Sequence, residues 1–287
     1  MRHVITLSTI PPRFARIGPT LRSLIRQQAR PEAVELYVPR SYRRFPQWGG
    51  ALPEVPEGVT IVRVDEDLGP ATKVLPAARA YRGQGVALIY GDDDRVFSPG
   101  WTRTCLELRK DHPGTAICGA GFSIQERYGY RFAEYPLPRA VPGPDPRAQL
   151  GVHLRSLMAA APFPGRRQPR LKAQVLRFSR SGYIDIAEGY GGVLVEPEFF
   201  DDASFTIPPV LWAVDDIWLS GTLARRGIPI WADRTLHRVS EVIDTSQHFP
   251  LHKAVIEGAD RDAANRACID HMRAHYGIWG GVAIQST

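Results

Sequence analysis

The 287-residue chain has only three cysteines, Cys105, Cys118 and Cys268, far apart and odd in number. That argues against a disulfide framework, and the absence of any C-x-x-C pair removes the usual zinc spacings. A reducing cytoplasm is the expected setting. Long apolar runs are missing too. No stretch approaches the roughly 20 residues of a membrane span, and the opening run Val4–Leu7 is too short for a signal-peptide core. The G-x-x-x-x-G-K-[ST] pattern of a phosphate loop does not occur. The net charge is +6, yet lysine and arginine are spread along the chain rather than gathered in a basic tail. This disfavours nucleic acid and suits a phosphate-bearing small ligand, since arginine dominates and its planar fork prefers phosphate or carboxylate.

The composition that remains is ordinary for a globular protein, 44% hydrophobic and 23% charged, which excludes wholesale disorder. With 26 glycines and 25 prolines the chain is loop-rich, and loops are where sites are usually built. Short apolar runs alternate with helical spacing. Strands are expected at Val4–Leu7, Val34–Val38, Val59–Val64, Val86–Tyr90, Thr115–Ala120, Gly192–Glu196 and Ile228–Trp231. Helices are expected after Pro19 (Leu21, Leu24, Ile25 and Gln28 on one face), over Trp101–His112, over Asp215–Arg226 up to Gly227, and over Asp260–Tyr276. The alternation predicts one α/β domain over 1–287 with a largely parallel, doubly wound sheet. Residues 135–172 break the pattern with clustered prolines and arginines, either as an insertion or lid or as a connector packed on the core. Within them Gln149–Ala161 reads as a short amphipathic helix that also suits peripheral contact with an anionic membrane.

The strongest local signal is Val86–Tyr90 running through Gly91 into Asp92-Asp93-Asp94. Ligands of open α/β sheets sit outside the carboxyl ends of strands, where these acids fall. Three adjacent carboxylates repel, and a hard divalent cation held by one or two of them plus substrate phosphates relieves that. Asp92 and Asp94 are expected at the metal, with Asp93 turned to a sugar or ribose. A solvated acidic turn is the plain alternative. A second acidic stretch, Asp65-Glu66-Asp67, also follows a strand, and its acids suit a base or ribose. Lys73, six residues beyond Asp67, offers a point charge to a diphosphate, or is simply a surface lysine. Asp215-Asp216 opens a helix, which capping and the helix dipole explain for one of them. Flanked by Trp212 and Trp218, the pair also suits a sugar cleft with a base for an acceptor hydroxyl. The turn Glu188-Gly189-Tyr190-Gly191-Gly192 allows close approach of backbone to a ligand, so Tyr190, Gly191, Gly192 and Trp212 are the expected acceptor contacts.

Together, Ser8-Thr9-Ile10-Pro11-Pro12-Arg13, Asp67-Leu68-Gly69-Pro70-Ala71-Thr72-Lys73, Tyr90-Gly91-Asp92-Asp93-Asp94, Asp215–Gly221 and Tyr276-Gly277-Ile278-Trp279 resemble bacterial nucleotide-sugar glycosyltransferases of the GT-A fold. The resemblance covers most of the chain outside the Pro/Arg-rich middle. It implies a Rossmann-like mixed sheet with a donor half (1–114) and an acceptor half (115–287). It implies donor contacts at Thr9, Pro11, Arg13, Asp65, Asp67, Thr72, Lys73, Asp92 and Asp93, with a UDP-sugar favoured. Asp94 is the acid that most directly ligates Mn2+ or Mg2+, joined by a histidine, His252 by position with His237 and His248 as rivals. Asp216 is the base, although Asp-Asp in place of the commoner Glu-Asp leaves Asp215 in play. The implied reaction moves a sugar to a glycan or lipid-linked hydroxyl, as in surface polysaccharide synthesis. A sugar-1-phosphate nucleotidyltransferase and a non-catalytic sugar-binding assembly protein are the competing readings. The first lacks its usual glycine- and arginine-rich loop after strand one.

Overall fold

The computed structural model describes residues 1–132, 136–143, 171–173, 178–236, 239–242 and 261–282. In chain order the elements of the first half are β1 (His3–Ser8), α1 (Gly18–Ile25), β2 (Ala33–Pro39), β3 (Val59–Val64), α2 (Leu75–Tyr81), β4 (Ala87–Tyr90), β5 (Arg95–Phe97) and α3 (Trp101–Asp111). The second half contributes β6 (Ala116–Cys118), β7 (Gly121–Phe122), α4 (Ile124–Tyr128), β8 (Val141–Pro142), β9 (Leu171–Ala173), β10 (Phe178–Arg180), β11 (Gly182–Ile184) and β12 (Ile186–Ala187). It closes with β13 (Val193–Val195), α5 (Asp215–Arg225), β14 (Ile230–Ala232), β15 (Val239–Val242) and α6 (Arg261–Tyr276).

Eight strands form one sheet in the order β11-β14-β6-β13-β4-β1-β2-β3. The half from β4 to β3 is parallel, as the βα alternation predicts. The other half is not, because β13 runs antiparallel to both β4 and β6, and β11 antiparallel to β14. The sheet is therefore mixed rather than largely parallel. The period of two along each strand divides the core into two layers. Val4, Leu88 and Tyr90 face α2 and α5, whereas Ile5, Leu7, Ala87 and Ile89 face α1 and α3. A doubly wound α/β architecture follows, and each fully buried leucine or isoleucine in it contributes about 1.5–3 kcal/mol. A third cluster joins α4, α5 and α6 through Ile217, Trp218, Ile269 and Met272.

Two features place the site. Strands β1 and β4 are neighbours and parallel, so the loops after Ser8 and Tyr90 emerge side by side. Strand β13 enters between β4 and β6 directly after the glycine turn Gly189–Gly191, whose exit residue Gly192 has φ 81° and lies against the Trp101 ring, where a Cβ would clash. A second, three-stranded sheet, β5-β15-β9, continues from the acidic run. The proline-rich stretch supplies β8, paired with β10. The amphipathic helix expected over Gln149–Ala161 lies outside the described residues. Among those described, no helix is long and apolar enough to cross a membrane.

Candidate active site

A cavity of about 360 Å³ opens at the carboxyl ends of β1 and β4 and is lined by residues of both halves, including Asp92, Asp93, Asp94, Asp215 and Asp216. The three acids of the run have different partners. Asp93 is fully engaged: its Oδ2 accepts from the Thr9 hydroxyl at 2.6 Å, its Oδ1 from Arg13, and its carbonyl from the Thr20 hydroxyl at 2.8 Å. Asp92 Oδ1 accepts from Lys73 Nζ at 2.6 Å. Burial alone would raise the Asp92 carboxyl, but the Lys73 charge and hydrogen bond hold it below the usual range. Asp94 is the under-compensated member. Its Oδ1 is buried and accepts no hydrogen bond, with the Arg95 guanidinium 3.3 Å away, while Arg13 stands 3.7 Å from Oδ2. Burial pushes its carboxyl up to about 6 against the pull of Arg95.

The acid pair divides in the same way. Asp215, with a side chain 3% exposed, meets the Lys73 ammonium at 2.8 Å, so Lys73 sits between the two acidic motifs and is itself buried. Desolvation works against the ammonium, and Asp215 and Asp92 together keep it charged far above neutrality. Asp216 is 20% exposed and lies 3.9 Å from Arg261. Its Oδ1 accepts the Gly189 N–H at 3.0 Å. Burial, then the neighbouring Asp215, raises its carboxyl to about 8. Gly189 is needed here because a Cβ would lie 2.5 Å from Lys73 Nζ and 2.8 Å from Asp92 Oδ1.

These donors fit a divalent cation of the magnesium or manganese kind. Asp94 presents a buried carboxylate oxygen without a hydrogen bond, and Asp92 keeps one oxygen off Lys73. Among the described residues no group of three or more His, Cys, Asp or Glu side chains is placed to hold a metal ion by itself.

No protein-family model matches the chain, and no curated protein does. Among solved structures, "Crystal structure of GalNAc-T7 with UDP, GalNAc and Mn2+" aligns with 95% of this chain at 14% identity and a TM-score of 0.47. This chain spans 47% of that protein's length, and the similarity is too slight to carry an argument about site or function.

Of the other residues expected in the site, Thr9, Arg13, Asp67, Thr72, Lys73, Tyr190 and Trp212 line the cavity. Several are already engaged. Asp67 caps the turn Gly69–Lys73 through the Gly69 N–H and holds the Arg43 N–H, and Thr72 accepts from the Leu68 N–H. The Trp212 indole donates to the Asp67 carbonyl at 2.9 Å, tying the two halves together. Asp65 is different: its side chain is 91% exposed, paired with Arg40, and outside the cavity. Pro11, Gly191 and Gly192 do not line the cavity either; the two glycines pack on Ala120 and Trp101. Trp218 is core, 1% exposed and bonded to the Ser204 carbonyl, so it does not wall a cleft. His237, His248 and His252 lie outside the described residues.

The cavity also uses residues that sequence reasoning passed over: Tyr42, Arg44, Arg95, Phe122, Arg127 and Asn265. Adjacency to the acidic run marks Arg95, and the four-residue spacing of Arg261 and Asn265 puts both on one face of α6. Nothing local marks Arg127 on the single turn of α4.

Proposed function

We propose that the protein is a metal-dependent glycosyltransferase of the GT-A kind, moving a sugar from a nucleoside diphosphate, a UDP-sugar in the first instance, to a hydroxyl of a glycan or lipid-linked acceptor. The observation that carries this reading is that one cavity joins two acidic motifs, each leaving one carboxylate open to a ligand, Asp94 in the run and Asp216 in the pair. In this reading the wall from β1 to β5 takes the donor and the wall from β7, the glycine turn and α6 takes the acceptor.

Asp94 and Asp92 would hold Mn2+ or Mg2+, which when bound neutralises the charge building on the departing diphosphate. Arg13, anchored on Asp93, would bring its guanidinium charge to the diphosphate side of the cavity. Lys73 does not reach out as a lone phosphate contact; it pairs with Asp92 and Asp215 and holds both carboxylates in place. Asp216 accepts the proton of the acceptor hydroxyl as that oxygen bonds the anomeric carbon. The bond from that carbon to the diphosphate oxygen breaks, and its electron pair leaves with the nucleoside diphosphate. Such a single displacement inverts the anomeric centre. A carboxyl raised to about 8 is, once ionised, a stronger base than an ordinary carboxylate, and the ionised form predominates above that pH.

The test is turnover of a nucleotide-sugar panel with Mn2+, with EDTA, and in Asp94→Ala and Asp216→Asn. Activity requiring the ion and both carboxylates supports the reading. Full activity in EDTA or in Asp94→Ala removes the metal. Retention of configuration removes the base role of Asp216. Binding of a nucleotide sugar with no hydrolysis or transfer would favour a sugar-binding module instead.

A further inference from the structure

Beyond Asp216 the cavity ends in Phe122 on β7, Arg127 on α4, and Arg261 and Asn265 on α6, of which only Arg261 stands within ion-pair range of an acidic motif. The Arg127 guanidinium lies over the Phe122 ring at 4.4 Å and near the Tyr128 ring at 5.6 Å. Among the described residues its N–H groups make no hydrogen bond, and the nearest carboxylate, Glu188, stays 3.7 Å away. Arg261 spends one donor on the Ala213 carbonyl at 3.2 Å and stands 3.9 Å from Asp216. Asn265 is buried; its amide donates to the Tyr128 hydroxyl at 2.7 Å, while its Oδ1 has no partner.

These facts point the same way. A guanidinium stacked on an aromatic ring is already ordered, so a ligand that pairs with it loses little further freedom. Its planar fork matches a carboxylate or a phosphate with two parallel hydrogen bonds. Two arginines with unspent donors face one cavity wall, and their nearest carboxylates, Glu188 and Asp216, stay 3.7 and 3.9 Å away, beyond hydrogen-bond distance. A neutral sugar would leave the forked donors of both guanidiniums without a planar or tetrahedral oxyanion to match them.

We propose that this wall is an anion subsite, and that the acceptor presents a carboxylate or a phosphate to Arg127 and Arg261 beside the hydroxyl that attacks. The proposal rests on Asp216 marking the acceptor side. The shared chemistry is a tetrahedral or planar oxyanion next to a sugar hydroxyl; an acidic sugar and a sugar phosphate both supply it.

Calorimetry on the full chain separates the outcomes. UDP with Mn2+ is titrated first, and then methyl β-glucuronide, glucose 6-phosphate and neutral methyl β-glucoside are titrated into the loaded protein. At least one charged ligand is expected to bind about tenfold tighter than the glucoside, an increment of about 1.4 kcal/mol. Arg127→Gln and Arg261→Gln should each shrink that advantage and leave the glucoside unchanged, with folding checked by thermal melts. A preference for the glucuronide alone identifies an acidic sugar, and for glucose 6-phosphate alone a phosphate; either supports the subsite. Equal affinity for charged and neutral ligands, or a preference that survives both substitutions together, overturns it. If UDP and Mn2+ fail to bind, the donor reading falls. The three ligands are then titrated into the unloaded protein, where the same preference or its absence decides the subsite.

Discussion

The run Asp92-Asp93-Asp94 and the pair Asp215-Asp216 meet in one cavity, and each solves the same problem of crowded negative charge by dividing its labour. In the run, Thr9, Arg13 and Thr20 consume Asp93, and Lys73 takes an oxygen of Asp92, leaving Asp94 short of compensation. In the pair, Lys73 neutralises Asp215 and leaves Asp216 at the cavity with a raised carboxyl. A carboxylate drawn into the scaffold and one turned to the ligand stand one residue apart in both places. Neighbouring acids in such a motif are therefore not interchangeable, and each should fail in its own way.

Asp216→Asn should break the comparison most sharply. A lost general base costs about 100- to 10,000-fold in turnover, with donor affinity and melting temperature little changed; a folding defect instead would move Asp216 into the scaffold. Lys73→Met should act on stability, because it strands the buried Asp215 and takes the partner of the half-buried Asp92, and breaking a buried ion pair costs about 3–5 kcal/mol; urea unfolding measures it. Asp215→Asn should share that phenotype in weaker form, since Lys73 keeps Asp92. In the run, Asp94→Asn should weaken Mn2+ binding beyond the about 10- to 100-fold of an outer-shell change, and more than Asp93→Asn does in calorimetry. The pH dependence sharpens the point further. Asp216 must be ionised to accept a proton, and its raised value of about 8 means that turnover climbs with pH and levels off above about 8; a flat profile between pH 6 and 8 would contradict the base assignment. The smallest effect belongs to Asp65→Ala, whose exposed side chain should leave stability within about 0.5 kcal/mol and turnover unchanged.

Much of this architecture is legible in the sequence. The strands ending at Ser8 and Tyr90, the helix opened by Asp215 and the long last helix all follow from periodicity and from stop signals such as Gly227. The antiparallel insertion of β13 was not legible, because Val193–Val195 is apolar on every residue and reads alike in either direction. Composition likewise could not separate the two tryptophans near the acid pair. Trp212 reaches the cavity because its indole bonds to the Asp67 carbonyl across the halves, whereas Trp218 turns inward one helical turn later. The expectation that Lys73 contacts a diphosphate as a free charge missed its burial, which depends on Asp215 arriving from a distant part of the chain. Asp65 and Asp67 look equivalent in sequence, yet a two-residue step at the end of β3 leaves one in solvent and the other capping a turn.

Lys73 also bears on the order in which the molecule can be made. During synthesis its ammonium and Asp92 leave the ribosome well before the helix that begins at Asp215. Until that helix docks, the lysine has only the half-buried Asp92 and lacks the buried Asp215, and its full desolvation is unfavourable. The N-terminal strands can pair early, but the interior charge closes only when the later segment arrives, and a single unfolding transition for both halves is the expected consequence.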